Sequence, residues 1–183
     1  FLTGIEKYRA HHYQRKLEPP PPLWKCGPVQ LQDFGATHPA ADRGKPILVI
    51  PSLVNRSYIM DLTAERSFLR YLASAGLRPL LVDWGTPGQR ELAQSLDDCV
   101  DNILREALAI ATDISRDHSV PVIGYCMGGT LATALAFLEP KKCNALVLLA
   151  TPWDFHVDTN GPPPIINMGR AAFEKIISTN GSL

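Results

Sequence analysis

Four short apolar runs constrain this chain more than any other feature, because each is too short for a helix and each ends in turn residues. They are Ile47 to Ile50, closed by Pro51, then Pro79 to Trp84, Val120 to Ile123 and Ala145 to Leu149. Unbroken apolar runs of this length fit strands buried on both faces, not strands with one wet side. The stretches between them carry helical periodicity. Phe68, Leu69 and Leu72 share one face, Arg66 and Arg70 lie outside it, and Gly76 stands where that helix should stop. Leu96, Val100, Ile103, Ala107, Ile110 and Ile114 recur every three or four residues behind a capping-box start at Ser95 and Asp98. Thr130 to Leu138 reads as an apolar helix. Strands alternating with helices of this length make βαβ units, so the expected class is α/β, with a mainly parallel sheet, helices on both faces and right-handed crossovers.

A chain of 183 residues, 45% of them apolar, is long enough to bury the core of one domain. Eighteen basic residues balance eighteen acidic ones, which leaves no net field to favour nucleic acid or an anionic membrane surface. Charges at Glu6, Lys7, Arg9, Arg15, Lys16 and Glu18 interrupt any signal-peptide core, and no apolar run reaches membrane-spanning length. Cys26, Cys99, Cys126 and Cys143 are widely spaced, with neither a CxxC pair nor a histidine at ligand spacing. Neither a metal site nor a disulfide framework is expected, and the expected compartment is the reducing cytoplasm.

Three regions are expected. Residues 1–44 hold a surface helix over 1–18, an extended Pro19 to Pro22 run, and an edge hairpin around Gly27-Pro28. Residues 45–155 form the α/β core. Residues 156–183, with the loop WDFHVDTNGPPP leading into an amphipathic stretch from Asn167 to Ile177, begin a cap. A first residue Phe1 and a last helical stretch close to Leu183 lead us to expect a segment of a longer chain.

The chemistry concentrates at GYCMGG, residues 124–129, which follows the third run and precedes a helix. A nucleophile on a tight strand-to-helix turn adopts a strained backbone, and Gly124, Gly128 and Gly129 lack the Cβ atoms that would keep strand and helix apart. At the helix start, unpaired N–H groups and the helix dipole favour negative charge on Cys126 and on an oxyanion beside it. Met127 N–H is the expected first oxyanion donor. The second is expected from the loop after the earlier strand, at Leu53 or Val54. The plain alternative is a buried cysteine among packing glycines, which the strand-to-helix setting disfavours.

GYCMGG, together with PSLVNRSYIMDL (51–62), RSFLRYL, the tripeptide Asp83-Trp84-Gly85 with Pro87, and LDDCVDNIL (96–104), resembles the polyhydroxyalkanoate synthase family of the α/β-hydrolase superfamily. The likeness is to its shorter forms, which lack a long N-terminal domain, and it runs over roughly residues 45 to 155. It implies a cysteine acyltransferase that takes 3-hydroxyacyl groups from coenzyme A thioesters and adds them to a growing polyester at a granule surface, with no separate cofactor. It leaves open a homodimer or a partner subunit. Thiol–thioester exchange trades one C–S bond for another of similar energy, which suits repeated hand-over.

The acid and base of such a site are expected after the nucleophile, in the order Asp then His. Only one strand-like run follows Cys126, so both are expected to be missing from this chain. His156 with Asp154 or Asp158 is a weak substitute, and His11, His12, His38 and His118 read as surface residues. Asp83-Trp84-Gly85 reads as turn chemistry, Asn55 and Arg56 as loop braces, and the other three cysteines as structural. Two rival readings stand beside the acyltransferase: a cysteine esterase or polyester hydrolase, and a non-catalytic fragment that binds through exposed apolar surface.

Overall fold

A computed structural model describes residues 2–12, 15–154, 174–175 and 178–179. Six strands form one mixed sheet: β1 (Pro22–Cys26), β2 (Val29–Asp33), β3 (Lys45–Ile50), β4 (Leu77–Asp83), β5 (Val120–Tyr125) and β6 (Cys143–Leu149), in the spatial order β1-β2-β4-β3-β5-β6. The pairs β4/β3, β3/β5 and β5/β6 are parallel, whereas the β1–β2 hairpin joins β4 antiparallel.

Alternation along the central strands divides the core in two. Leu48, Ile50, Leu80, Val82, Val120 and Val122 face one cluster, while Ile47, Val49, Leu81 and Ile123 face the other. Successive side chains of a strand point to opposite faces, so a run without polar gaps needs cover on both. Four helices are used here: α1 (Leu2–Arg9), α2 (Phe68–Ser74), α3 (Arg105–Ile114) and α4 (Met127–Leu138). Through Leu69, α2 covers the second face; through Ala107, Leu108, Ala111, Leu131, Ala132 and Leu135, α3 and α4 cover the first.

A π-helical turn, Cys99–Leu104, leads into α3. The buried positions here are Cys99, Ile103, Ala107 and Ala111 and, beside them, Val100, Leu104, Leu108 and Thr112. Both rows repeat every four residues, and a 3.6-residue helix would rotate such a row by about 40° per repeat. The wide turn absorbs that drift and keeps the rows on the sheet. The capping box is present: Asp98 N–H donates to Ser95 Oγ and Ser95 N–H to the Asp98 carboxylate.

Several expectations are corrected. The N-terminal helix stops at Arg9 and does not run to residue 18, because Arg15 is drawn into an ion pair with Asp61 and Leu17 O takes its guanidinium. On α2 the buried residues are Leu69 and Ala73, while Phe68 is exposed; Arg70 turns inward to Asp61. Leu96, expected on the core face, is also exposed. The stretch Asn167 to Ile177 lies outside the described residues apart from Glu174 and Lys175, which are helical. No described helix is long and apolar enough to cross a membrane.

Candidate active site

Cys126 stands between β5 and α4 with φ 52° and ψ −129°. Only glycine adopts such a backbone easily; a residue with a side chain carries about 1–3 kcal/mol of strain there. Two hydrogen bonds hold it: Cys126 N–H donates to Leu149 O at the end of β6 (2.8 Å), and Gly129 N–H donates to Cys126 O (2.8 Å). The side chain is half-buried and makes no capping bond to the helix behind it. The N–H groups of Met127 and Gly128, first in α4, have no intrahelical acceptor by position. Elsewhere in the chain, burial raises the thiol pKa of Cys99 and of Cys143, helped at Cys99 by the charge of Asp98 and at Cys143 by that of Glu139, which Lys142 partly opposes.

The glycines set how closely the parts meet. A Cβ on Gly128 would fall 2.6 Å from the Pro51 carbonyl carbon, one on Gly129 2.7 Å from Thr151 Cγ2, and one on Gly124 2.8 Å from Ala132 Cβ. The start of α4 is thus wedged between the loop after β3 and the segment after β6. Thr151 Oγ1 is buried there without a hydrogen-bond partner among the described residues, and Thr130 Oγ1 donates to Pro152 O.

The loop after β3 brings the two expected donors beside this junction but uses one of them. Val54 N–H donates to the buried Ser52 Oγ at 3.1 Å. The Leu53 amide has no protein acceptor among the described residues. Asp83-Trp84-Gly85, at the end of β4, ties down the same loop: Trp84 Nε1–H donates to Pro51 O (3.2 Å), and Ser57 Oγ–H to Asp83 Oδ1 (2.8 Å). Arg56 donates to Gly85 O (2.7 Å) and Thr86 Oγ1 (3.0 Å). A cleft of about 290 Å³ lined by Leu53, Asn55, Arg56, Asp83, Trp84 and Pro87 opens above these contacts.

Asp154 is exposed just past β6, and His156 and Asp158 lie outside the described residues. No group of three His, Cys, Asp or Glu side chains that could hold a metal occurs among the described residues.

Sequence reasoning missed an ion-pair network at a second, neighbouring cavity of about 360 Å³, which Arg15, Phe34 and Asp61 line together with Arg56 and Asp83. The Asp61 carboxylate, 2% exposed, accepts from Arg15 (2.8 Å) and Arg70 (2.8 Å). Burial raises its pKa, but hydrogen bonds from Arg70 and Ser67 and the charges of Arg70 and Arg15 outweigh that and hold it below the ordinary carboxylate value. The Arg70 guanidinium also lies over the Phe34 ring, 5.8 Å from its centre. The aspartate and arginine of PSLVNRSYIMDL and RSFLRYL were visible as charges within apolar segments, but the partner Arg15 is 46 residues away from Asp61.

A family model described as the alpha/beta hydrolase fold matches residues 45–168. The chain belongs to the α/β-hydrolase fold family. Within that family it is similar to proteins named poly(3-hydroxyalkanoate) polymerase subunit PhaC. That of Haloferax mediterranei is 39% identical over 63% of this chain and 23% of its own length. That of Synechocystis sp. is 34% identical over 85% of this chain and 42% of its own, and that of Cupriavidus necator 34% identical over 61% and 20%. This α/β-hydrolase therefore spans about a fifth to two fifths of the length of those relatives. Among solved structures, a thioesterase domain from the curacin biosynthetic pathway aligns with a TM-score of 0.53 at 18% identity, covering 85% of this chain and 53% of that one. A lipase-like protein from Acinetobacter baumannii aligns with a TM-score of 0.53 at 15% identity, covering 85% and 51%. Both likenesses concern the fold alone.

Proposed function

We propose that this α/β-hydrolase segment carries the nucleophile of a poly(3-hydroxyalkanoate) polymerase. The observation that supports the reading most is the backbone of Cys126, a strained left-handed residue ending a central strand directly ahead of a helix. The names of its relatives supply the substrate class.

In this mechanism Cys126 Sγ attacks the thioester carbon of a 3-hydroxyacyl-coenzyme A. A new C–S bond forms, and negative charge gathers on the former carbonyl oxygen. Met127 N–H and Leu53 N–H donate to that oxyanion; losing one such donor costs about 3 kcal/mol of transition-state stabilisation. The tetrahedral species collapses by breaking the C–S bond to coenzyme A, which leaves as a thiolate and takes up the proton given by Cys126. The hydroxyl of a further 3-hydroxyacyl unit then attacks the acyl-cysteine, so that the ester grows by one unit and the thiol is regenerated. The base and its acid partner act from outside the described residues. The site works on a cytosolic granule surface, where the polyester remains attached.

Mass spectrometry of the complete reading frame carrying this segment, incubated with 3-hydroxybutyryl-coenzyme A, tests the reading. The expected result is a 3-hydroxybutyryl adduct on Cys126 that is absent from Cys126→Ala. A modified protein whose adduct lies elsewhere, or none at all, sinks the proposal, and rapid release of free 3-hydroxybutyrate instead of polymer selects a hydrolase.

A further inference from the structure

We propose that Asp83, seconded by Arg56, is the positioning device of the loop that offers the second oxyanion donor, an inference that rests on reading Cys126 as the nucleophile. Nothing in the chemistry of acyl transfer requires an aspartate at the end of β4, yet this one gathers three donors. Asp83 Oδ1 accepts from Ser57 Oγ (2.8 Å) and Gly85 N–H (3.2 Å), and Oδ2 accepts from Gln32 Nε2 (3.1 Å) on β2. A carboxylate holding several donors fixes their mutual geometry more firmly than neutral partners do.

The Asp83 bonds tie three pieces of chain to one point: the edge hairpin, the turn after β4 and the far end of the loop after β3. The near end of that loop is held by Trp84 Nε1–H on Pro51 O, and Pro51 is the residue against which Gly128 of the elbow packs. Arg56 closes the outer side by bridging Gly85 O and Thr86 Oγ1. The Leu53 amide therefore hangs on a span of five residues, 52–56, pinned at both ends to the same turn, with the elbow helix pressed against one pin. An oxyanion donor must lie about 2.7–3.1 Å from the developing charge and hold that place to within about half an ångström, which a donor on an unsupported loop does not.

This assignment separates positioning from substrate contact. Arg56 is exposed at the cleft, and a cation there would also suit a phosphate of coenzyme A. If it bound phosphate, its loss would raise the half-saturating substrate concentration. As a clamp it leaves that concentration alone and lowers the rate of the acyl step.

The test uses the complete reading frame with Asp83→Ala, Arg56→Ala and Arg56→Lys, and two readouts. The first is single-turnover acylation of Cys126 by 3-hydroxybutyryl-coenzyme A over a range of substrate concentrations. Asp83→Ala should slow the limiting rate by about 10- to 100-fold with half-saturation within twofold of the parent. Arg56→Ala should slow it less, and Arg56→Lys should recover part of that loss. The second readout is amide hydrogen exchange, which should rise in peptides covering 51–58 while the strands keep their protection. Raised half-saturation at an unchanged rate, or unchanged exchange in 51–58, overturns the assignment. If the parent protein forms no acyl-cysteine, the nucleophile reading fails on its own, and hydrogen exchange still decides whether Asp83 fixes the loop. Should Asp83→Ala fail to fold, Ser57→Ala cuts the same link from the loop side and is judged by the same two readouts.

Discussion

Adding one methyl group at Gly128 should damage the site far more than the fold. The new Cβ would lie 2.6 Å from the Pro51 carbonyl carbon and closer still to the carbonyl oxygens of Ile50 and Pro51, where ordinary contact begins near 3.4 Å. All three neighbours are backbone, so no side chain can swing away, and the loop after β3 must retreat from α4 by about 1 Å. Overpacking of this kind costs about 1–3 kcal/mol. For a chain of this size that is roughly 2–12 °C of melting temperature. A displacement close to 1 Å between nucleophile and oxyanion donor slows chemistry by about 10²-fold. Gly128→Ala should therefore melt cooperatively, several degrees early, while acylation of Cys126 by 3-hydroxybutyryl-coenzyme A falls by two orders of magnitude. Scanning calorimetry and single-turnover mass spectrometry measure the two quantities. A variant that acylates at the parental rate would refute the idea that this glycine sets the spacing of the site.

Other consequences follow from the same geometry. Cys126→Gly should be more stable than Cys126→Ala by roughly 1–2 kcal/mol in chemical denaturation, because glycine relieves the positive φ that alanine keeps; equal stabilities would mean that the bend stores no strain. Asp61→Asn should cost about 3–5 kcal/mol, since it leaves Arg15 and Arg70 beside a group that no longer neutralises them. Because the folded state holds the Asp61 pKa below its ordinary 3.8, the stability it contributes is complete above that value and drains away as pH falls through the lower, folded one. The difference between parent and Asp61→Asn should thus stay constant from about pH 5 to 8 and shrink below about pH 4, and a difference that grew in acid would contradict the pairing. Ser95→Ala should cost about 1 kcal/mol by removing the capping box, read as a small drop in denaturation midpoint with acylation unchanged.

What could be read from the sequence was what is local. Ile47 to Ile50 and Val120 to Ile123 announced buried strands because a sheet covered on both faces leaves no polar gaps, and GYCMGG marked the bend because only certain residues tolerate it. The antiparallel attachment of the β1–β2 hairpin to β4 was not legible, since no pattern within either segment names its neighbour. Phe68 and Arg70 exchanged their expected environments for a related reason. Helical spacing ranks both by hydrophobicity, whereas Asp61 and Phe34, brought up from other parts of the chain, make the inside of α2 partly ionic. At the site, the donor type could be expected from backbone chemistry. That Ser52 would occupy the Val54 amide, leaving Leu53, depended on a side-chain rotation that no spacing encodes.

The wide turn at Cys99–Leu104 means that this part of the chain contains, in effect, one spare residue. Excising a solvent-facing position there, such as Asn102, would let the segment wind as an ordinary α-helix without rotating either flank against the sheet, whereas the same excision inside Arg105–Ile114 would swing Ala107, Leu108 and Ala111 out of register by about 100° or force the deletion into a loop. Length changes within one continuous rod are thus harmless at its beginning and ruinous a turn later.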